Sequence, residues 1–212
     1  MSDFSKLGKE YQFPALHLQD LEPNPFVQFN HWITTAIEQG VDEPHAMTLA
    51  TVSKDYQISA RMMLLKYVDE KGFVFFSNYT SHKATDLNEI PTAALVFFWP
   101  KIGRQIRIEG TVEKVEKQIS ETYFNQRSVS ARCAAMASKQ SQILESPEIL
   151  TRQYEALRNE AEHTPPKRPE HWGGYRLIPS YFEFWQGQPH RLHHRFSYQR
   201  IKQGWTINRL YP

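Results

Sequence analysis

Residues 104–115, with the sequence RQIRIEGTVEKV, contain the clearest alternation in the chain and decide its fold class. Successive side chains of a β-strand point to opposite faces, so every second residue shares a face. The segment therefore has an apolar face and a polar face: Ile106, Ile108 and Val112 against Gln105, Arg107 and Glu109. The pattern predicts a strand whose apolar face covers a core and whose polar face is available to a ligand or partner.

Further strands are expected on both sides of this segment. Four stretches before it are rich in β-branched, leucine and aromatic residues: 47–52, 59–68, 73–77 and 93–99. Turn signals at 54–55 and 69–72 separate them, and the second predicts a hairpin. After residue 175 the chain returns to about three strands, with a turn near Gly204.

Helical patterns precede and interrupt the strands. Apolar spacing, N-terminal capping residues and prolines predict five helices: 25–40, 81–88, 120–127, 130–144 and 147–162. Pro165 and Pro166 mark a linker over 163–169. This order predicts a mainly β protein with peripheral helices, built as a small antiparallel barrel. We expect a flexible polar arm over 1–20 and a single domain over 21–212.

Composition excludes several classes of protein. The chain has 25 Lys and Arg against 23 Asp and Glu, without a run of like charge, which argues against nucleic-acid binding. The single cysteine, Cys133, excludes an intrachain disulfide and a cysteine-based zinc site. No stretch has the roughly 20 apolar residues of a membrane span, and no secretory signal opens the sequence. We expect a cytoplasmic protein without membrane partners.

Two short motifs in the middle of the chain suggest anion binding. Arg61 and Lys66 frame the apolar run of RMMLLK, which is typical either of exposed strand ends or of two anion sites. Ser81, His82 and Lys83 stand at a predicted helix N-terminus, where free N–H groups favour phosphate. An ordinary capped loop explains the second motif equally well.

The tail is denser in functional groups. EFWQG at 183–187 precedes Arg191, His193 and Arg195, which alternate and would share one strand face. Three cations on one face repel unless an anion or an electron-rich ring lies among them, although a solvated edge strand remains an alternative. No carboxylate or third histidine has a spacing that suits His193 and His194 as metal ligands, so no metal is expected.

Familiar catalytic motifs are missing from the sequence. It contains no Gly-x-Ser-x-Gly elbow, Walker loop, Rossmann fingerprint or His-Glu-x-x-His motif. Cys133 lies among small residues in a predicted helix and is interpreted as a buried, inert thiol. Anion sites and many aromatic residues without a strong nucleophile suit a phosphorylated cofactor that carries the chemistry itself.

Taken together, the motifs resemble the pyridoxine/pyridoxamine 5′-phosphate oxidase family. The matching segments occur in family order from about residue 20 to the C-terminus: 61–66, 105–110, 123–127, 138–141, 172–175, 183–187, 191–195 and 209–212. The resemblance implies an FMN-binding split β-barrel and a homodimer with FMN sites at the subunit interface. It also implies oxidation of both B6 phosphates to pyridoxal 5′-phosphate. A hydride would pass from C4′ to the flavin, and dioxygen would reoxidise the flavin and give hydrogen peroxide.

The resemblance also assigns roles to residues. Those implied to bind FMN are Arg61, Met62, Met63, Leu64, Phe76, Ser77, His82, Lys83, Gln105, Gln140, Ser141, Trp185 and Arg195. Those implied to bind the substrate are Lys66, Tyr123, Arg127, Ala131, Arg191 and His193. Arg191 and His193 are the implied catalytic pair, over the substrate ring.

The chain departs from the family at three places. His82 and Ala131 replace an arginine and a serine, and Gly8 and Lys9 stand where the N-terminal arm often has arginines. These departures bear on affinity more than on the type of reaction. Three alternatives remain: another flavoenzyme on the same barrel, a carrier of FMN or pyridoxal phosphate, and a nucleic-acid-binding protein.

Overall fold

The computed structural model describes residues 1–6, 8 and 10–212, so Lys9 lies outside the described residues. Five α-helices are found in this part of the chain: α1 Pro25–Glu38, α2 His82–Glu89, α3 Lys117–Gln126, α4 Val129–Ala137 and α5 Pro147–Glu160. Six strands precede α3: β1 Ala46–Val52, β2 Ile58–Leu64, β3 Tyr67–Asp69, β4 Gly72–Asn78, β5 Thr92–Trp99 and β6 Arg104–Lys114. Three follow α5: β7 Trp172–Gln186, β8 His194–Arg200 and β9 Trp205–Leu210.

The strands form one antiparallel sheet in the order β2-β1-β5-β6-β7-β4-β3, with β8 and β9 attached at β7. The 15 residues of β7 pair with β6 along most of their length. The first part of β7 also pairs with β4, and its last part pairs with β8. A register shift lies at Gly110, where an added Cβ would fall 2.0 Å from the Ile178 carbonyl oxygen. Glycine is needed there because the two backbones approach so closely.

Aromatic side chains fill the core, and α1 packs across it. Asn24 caps α1 by accepting the Phe26 N–H at 2.9 Å. The ring of Phe29 lies 4.9 Å from that of Phe73, and Trp32 lies 5.1 Å from Phe184. Burial of one such side chain contributes ~1.5–3 kcal/mol, so this cluster is a major source of stability.

The alternation over 104–115 is confirmed. Ile106 and Ile108 are fully buried, whereas Gln105, Arg107 and Glu109 are partly accessible on the opposite face. The predicted mainly β architecture with peripheral helices is therefore correct. No helix among the described residues is long and apolar enough to cross a membrane.

Two predicted elements were too long. The predicted strand 59–68 breaks after Leu64 because the chain changes partner: Leu65 N–H donates to the His45 carbonyl and Lys66 N–H to the Val74 carbonyl, both at 2.9 Å. The predicted helix 130–144 ends at Ala137. Residues beyond it form a loop in which Ser141 has a φ of 72°, a value incompatible with a continuing helix.

The prediction of one strand face for Arg191, His193 and Arg195 was wrong. Pro189–Arg191 forms a 3₁₀ turn, and the φ values of His190 and Arg191 are 57° and 62°. Strand β8 begins only at His194. The turn directs Arg191 and His193 independently of Arg195, because alternation holds only in extended backbone.

Candidate functional site

A cavity of about 830 Å³ opens where β2, β4, α3, α4 and α5 meet. Its walls include both predicted cofactor residues and predicted substrate residues: Met62, Met63, Leu64, Lys66, Phe76, Ser77, Tyr123 and Arg127. We define the cavity cluster as Lys66, Phe76, Tyr123, Arg127 and Trp172. Residues distant in sequence meet here because β4 pairs with the start of β7 while α3 packs nearby.

Stacked rings form one wall of the cavity. The ring centroid of Phe76 lies 4.1 Å from that of Tyr123 and 5.4 Å from that of Trp172, with interplanar angles of 24° and 12°. Phe76 pairs with Gly174 across the strands, and a Cβ at Gly174 would lie 2.8 Å from the Phe76 ring. The glycine leaves room for the ring, so the wall can receive a flat heterocycle.

The two basic side chains of this cavity, Lys66 and Arg127, form no salt bridge with the other residues that the structure describes. The guanidinium carbon of Arg127 lies 5.0 Å above the Trp172 ring, and its Nη1 is buried without a hydrogen-bond partner among the described residues. Burial lowers the pKa of Arg127. Lys66 lines the same cavity. An unsatisfied buried donor in a cavity that also contains a second cation fits a phosphate group, which accepts several hydrogen bonds.

A second cavity, of about 650 Å³, adjoins the first and shares Met62, Met63 and Gln140 with it. It contains three further basic side chains: Arg61, His82 and Lys83. Lys83 Nζ donates to Gln140 Oε1 at 2.8 Å and to the hydroxyls of Ser77 and Ser81 at 3.2 Å. Burial, and then the charge of Arg61, lower the Lys83 pKa to about 8. A bound anion would reverse this effect, so the group of cations fits the FMN phosphate.

Asp86 holds two of these basic side chains, Arg61 and His82. It is 1% exposed and accepts the Thr51 hydroxyl at 2.6 Å, while Arg61 Nη1 donates to the same hydroxyl oxygen at 2.7 Å. His82 Nε2 lies 3.6 Å from the Asp86 carboxylate. Asp86 was missed by the sequence analysis, because nothing in its local pattern separates it from an ordinary helix residue.

A third group of residues lies around the β7–β8 connection. We define the tail cluster as Trp185, Arg191, His193 and Arg195. His193 lies 4.7 Å from Trp185 between ring centroids, and Tyr11 of the N-terminal segment packs edge-on against both rings. The Gln188 N–H donates to His193 Nδ1 at 3.1 Å, which leaves Nε2 to carry the proton of a neutral ring. Burial, and then Arg191, lower the His193 pKa.

Arg195 is held by a buried carboxylate. Its Nε and Nη2 donate to the two oxygens of Glu183 at 2.8 and 3.0 Å, and Nη1 donates to the Tyr211 carbonyl at 2.8 Å. The hydrogen bond to Glu183 raises the pKa of Arg195. Gln105 pairs with Trp185, which pairs with Arg195, so the three residues share one sheet face.

Most of the predicted site residues therefore fall into the two adjoining cavities and the tail cluster, and Gln105 pairs with Trp185 on the sheet face. Gln140 and Ser141 line the second cavity from the loop after α4. Ala131 does not line the large cavity, although Ala134 and Ala135 of the same helix do. The motif around Trp172 predicted no role for that residue, and Tyr154 of α5, which also lines the large cavity, has no local sequence signal.

Family comparisons cover most of the chain. Residues 33–160 match the family described as "Pyridoxamine 5'-phosphate oxidase". Residues 172–212 match the family described as "Pyridoxine 5'-phosphate oxidase C-terminal dimerisation region". The cavity cluster and the tail cluster both draw residues from the second match.

Curated relatives of similar length carry the same name. A "Pyridoxine/pyridoxamine 5'-phosphate oxidase" of Gloeothece citriformis is 48% identical over 207 residues, covering 97% of each chain. One of Paraburkholderia phymatum is 47% identical over 213 residues and covers both chains fully.

Solved structures confirm the split-barrel fold. PhzG from Burkholderia lata, crystallised with tetrahydrophenazine-1-carboxylic acid, superposes with a TM-score of 0.89 at 32% identity, covering 94% of this chain and 99% of its own. A pyridoxamine 5′-phosphate oxidase-related, FMN-binding protein from Nostoc punctiforme has a TM-score of 0.70 at 16% identity, covering 87% and 97%.

Proposed function

Because the chain belongs to the pyridoxine/pyridoxamine 5′-phosphate oxidase family and FMN is its cofactor, we propose that it oxidises both B6 phosphates to pyridoxal 5′-phosphate. When bound, FMN takes a hydride equivalent from the C4′ carbon and returns two electrons to dioxygen, which gives hydrogen peroxide. The alcohol becomes an aldehyde directly. The amine becomes an imine, which water hydrolyses to the aldehyde and ammonia.

One observation carries the proposal. Arg127, whose buried Nη1 has no hydrogen-bond partner among the described residues, lines the same cavity as Lys66 and lies over Trp172 of the stacked wall. A flat ring bearing a phosphate satisfies both parts of this surface at once. Arg127, Lys66 and Tyr123 would hold the phosphate, and the rings would support the pyridine.

The second cavity suits the FMN phosphate. Arg61 and Lys83 would share it, with Gln140 and Ser77 holding Lys83 in place. Because the two cavities share walls, an isoalloxazine ring extending from this phosphate would reach the substrate ring. Holding two rings at close range is the main requirement of hydride transfer, since it converts an encounter into a positioned reaction.

The tail cluster must reach the substrate from another subunit. Phe76 of the cavity wall pairs with Gly174 near the start of β7, whereas Trp185 lies 11 residues further along the same strand. At ~3.3 Å per residue, the path along the strand is on the order of 35 Å. A B6 phosphate is too small to touch both regions of one chain. We therefore infer that a second copy supplies Arg191, His193, Trp185 and Arg195, with FMN at the interface. The C-terminal dimerisation region supports this arrangement.

In this arrangement, the chain's own residues bind and orient rather than attack. His193 would present a protonated Nε2 to the substrate, because its Nδ1 is occupied by the Gln188 N–H. Arg191 would stabilise negative charge that develops near C4′. Tyr11 would cover the rings and exclude water, since it already packs on Trp185 and His193. The arm over 1–20, the single domain over 21–212 and the cytoplasmic location stay predictions.

The first experiment is an anaerobic half-reaction. FMN-loaded protein is mixed with pyridoxine 5′-phosphate, and separately with pyridoxamine 5′-phosphate, while the visible flavin absorbance is recorded. We expect the flavin band to bleach, and air to restore it with formation of pyridoxal 5′-phosphate. A bound flavin that stays oxidised with both compounds contradicts the proposal and favours another flavoenzyme or a carrier. Bleaching by a tetrahydrophenazine carboxylic acid alone would indicate chemistry related to that of the PhzG ligand.

A further inference from the structure

Glu183 is a carboxylate buried in the middle of a strand. It is 2% exposed, between Phe182 and Phe184 of β7, both of which lie in the core. Two arginines converge on it: Arg195 with two bonds, and Arg107, whose Nη1 donates to Oε2 at 3.1 Å. The Tyr181 hydroxyl lies 3.4 Å from the same oxygen.

Stability alone does not explain this arrangement. Removing two charges from water costs roughly what their attraction returns, so a buried ion pair is weak evidence of stabilisation. Apolar side chains of similar volume would serve the strand equally well. A more specific effect is on geometry, because a bidentate carboxylate fixes the plane of a guanidinium.

The register of β6, β7 and β8 shows which sheet surface the contact between Glu183 and Arg195 orders. Arg107, Glu183 and Ser197 form one cross-strand row, and Gln105, Trp185 and Arg195 form the next row on the same face. Arg195 reaches back one row to Glu183. Its bonds to Glu183 and Tyr211 use three of the five guanidinium N–H groups. The remaining two have no partner among the described residues and stay available to a ligand beside Trp185.

We propose that Glu183 is a positioning residue for FMN, which orients Arg195 toward the flavin and offsets its charge there. The inference rests on the proposed function in one respect, namely that Arg195 adjoins the flavin. Reduction adds negative charge to a flavin, so an uncompensated cation nearby favours the reduced form. Loss of the carboxylate should therefore weaken FMN binding and raise the flavin midpoint potential.

The test is Glu183→Gln in the full-length dimer, because glutamine keeps the shape and removes the charge. FMN affinity is measured by titrating apoprotein, and the midpoint potential by spectroelectrochemistry. We expect at least tenfold weaker FMN binding and a more positive potential, with the KM for pyridoxine 5′-phosphate little changed. Glu109→Gln is the matched control, since Glu109 pairs with the same Arg107 without contacting Arg195. Its FMN affinity should stay within twofold of wild type.

A double variant separates the effect of Arg195 orientation from the effect of net charge near the flavin. Arg107→Gln/Glu183→Gln loses one cation and one anion together, so its potential should return toward that of wild type. Its FMN affinity should stay at least tenfold weaker, because Arg195 still lacks its bidentate partner. If Glu183→Gln alone does not fold, this neutral variant carries the test through its FMN affinity.

Two results would overturn the inference. One is a dimeric Glu183→Gln protein with wild-type FMN affinity and potential, and the other is an equal loss in Glu109→Gln. Failure of the proposed function is distinguishable, since neither readout needs a B6 substrate. Wild-type protein that binds FMN without oxidising B6 phosphates would sink the proposed function and leave the role of Glu183 standing. Wild-type protein that binds no FMN would overturn both.

Discussion

The cavity cluster and the tail cluster contain similar residue types, but they differ in whether their arginines are paired with a carboxylate. In the cavity cluster, Arg127 has a buried nitrogen without a partner among the described residues, and Lys83 in the adjoining cavity has its pKa lowered to about 8. In the tail cluster, Arg195 is matched by the buried carboxylate of Glu183. Arg127 would be neutralised by an anion that binds from solution, whereas Arg195 is already neutralised by a carboxylate of the same chain.

This difference indicates what each region contributes. Unpaired cations gain most from binding a phosphate, because the ligand relieves a desolvation penalty that already exists. An arginine that is already paired gains less binding energy from its charge. Its main contribution is the fixed direction of its N–H groups. Under the proposed function, the cavities would therefore supply affinity for phosphates, and the tail would supply orientation around the reacting rings.

Removing the unpaired arginine should have the largest effect. Arg127→Gln deletes a charge-assisted interaction worth ~1.5–3 kcal/mol, so we expect the KM for pyridoxine 5′-phosphate to rise roughly 10- to 100-fold. The FMN content should be unchanged, because Arg127 does not line the second cavity. Steady-state kinetics at saturating FMN measure the effect. The exposed Arg158→Gln on α5 is the control, and an equal loss there would refute the assignment.

Mixing two impaired variants, assayed at a pyridoxine 5′-phosphate concentration below the wild-type KM, tests whether the two regions meet across subunits. An Arg127→Gln chain is refolded together with an Arg191→Met/His193→Asn chain. Random pairing makes half of the dimers hybrids, each with one intact site of two, so about a quarter of wild-type activity should return. Activity of the mixture and of each variant alone is the measurement. No recovery in verified hybrid dimers would place the whole site within one chain.

The pH dependence of FMN binding tests the second cavity. A bound phosphate stabilises the charged form of Lys83, so it raises the lysine pKa above the value of about 8 in the free protein. Below pH 8 the lysine is already charged, so its contribution to FMN affinity should be constant. Above it the free protein must take up a proton, and Kd should rise up to about tenfold per pH unit. Fluorescence titrations at successive pH values measure this slope. A Lys83→Met protein with the same slope would exclude Lys83 as its source.

His82 should give the smallest effect. Histidine can lose its charge near neutral pH, whereas arginine keeps it. The His82 side chain is 61% exposed, so we expect His82→Arg to strengthen FMN binding only about threefold. The two proteins are compared by the same titration at one pH. Equal FMN affinity in both would remove His82 from the phosphate site.

Sequence periodicity was sufficient to predict the strands but not the positions at which they end. The alternation from Gln105 to Val112 predicted a face correctly because every residue there is extended. The interruption after Leu64 depends on a change of partner from β1 to β4, and pairing between distant segments is invisible to local pattern. The end of α4 at Ala137 was missed for the same reason, since the following loop is fixed by contacts of Gln140 with Lys83.

The tail shows a second limit. Alternation of Arg191, His193 and Arg195 was real in the sequence, but positive φ values at His190 and Arg191 remove the extended backbone that alternation requires. The partner of Arg195 also could not be predicted, because Glu183 is 12 residues away and is brought close only by the β7–β8 register. The roles expected for single residues came from the family resemblance. The arrangement of those side chains could be described only from the folded structure.

Strand β7 pairs with three other strands, β4, β6 and β8, and this pairing has a consequence for synthesis of the chain. Residues 172–186 close the edges of both β4 and β6, yet they emerge from the ribosome long after those strands. Nascent chains therefore carry two open sheet edges rich in aromatic residues, which are templates for aggregation. A nonsense codon just before Trp172 should yield insoluble protein, and chaperone demand should peak just before β7 becomes available.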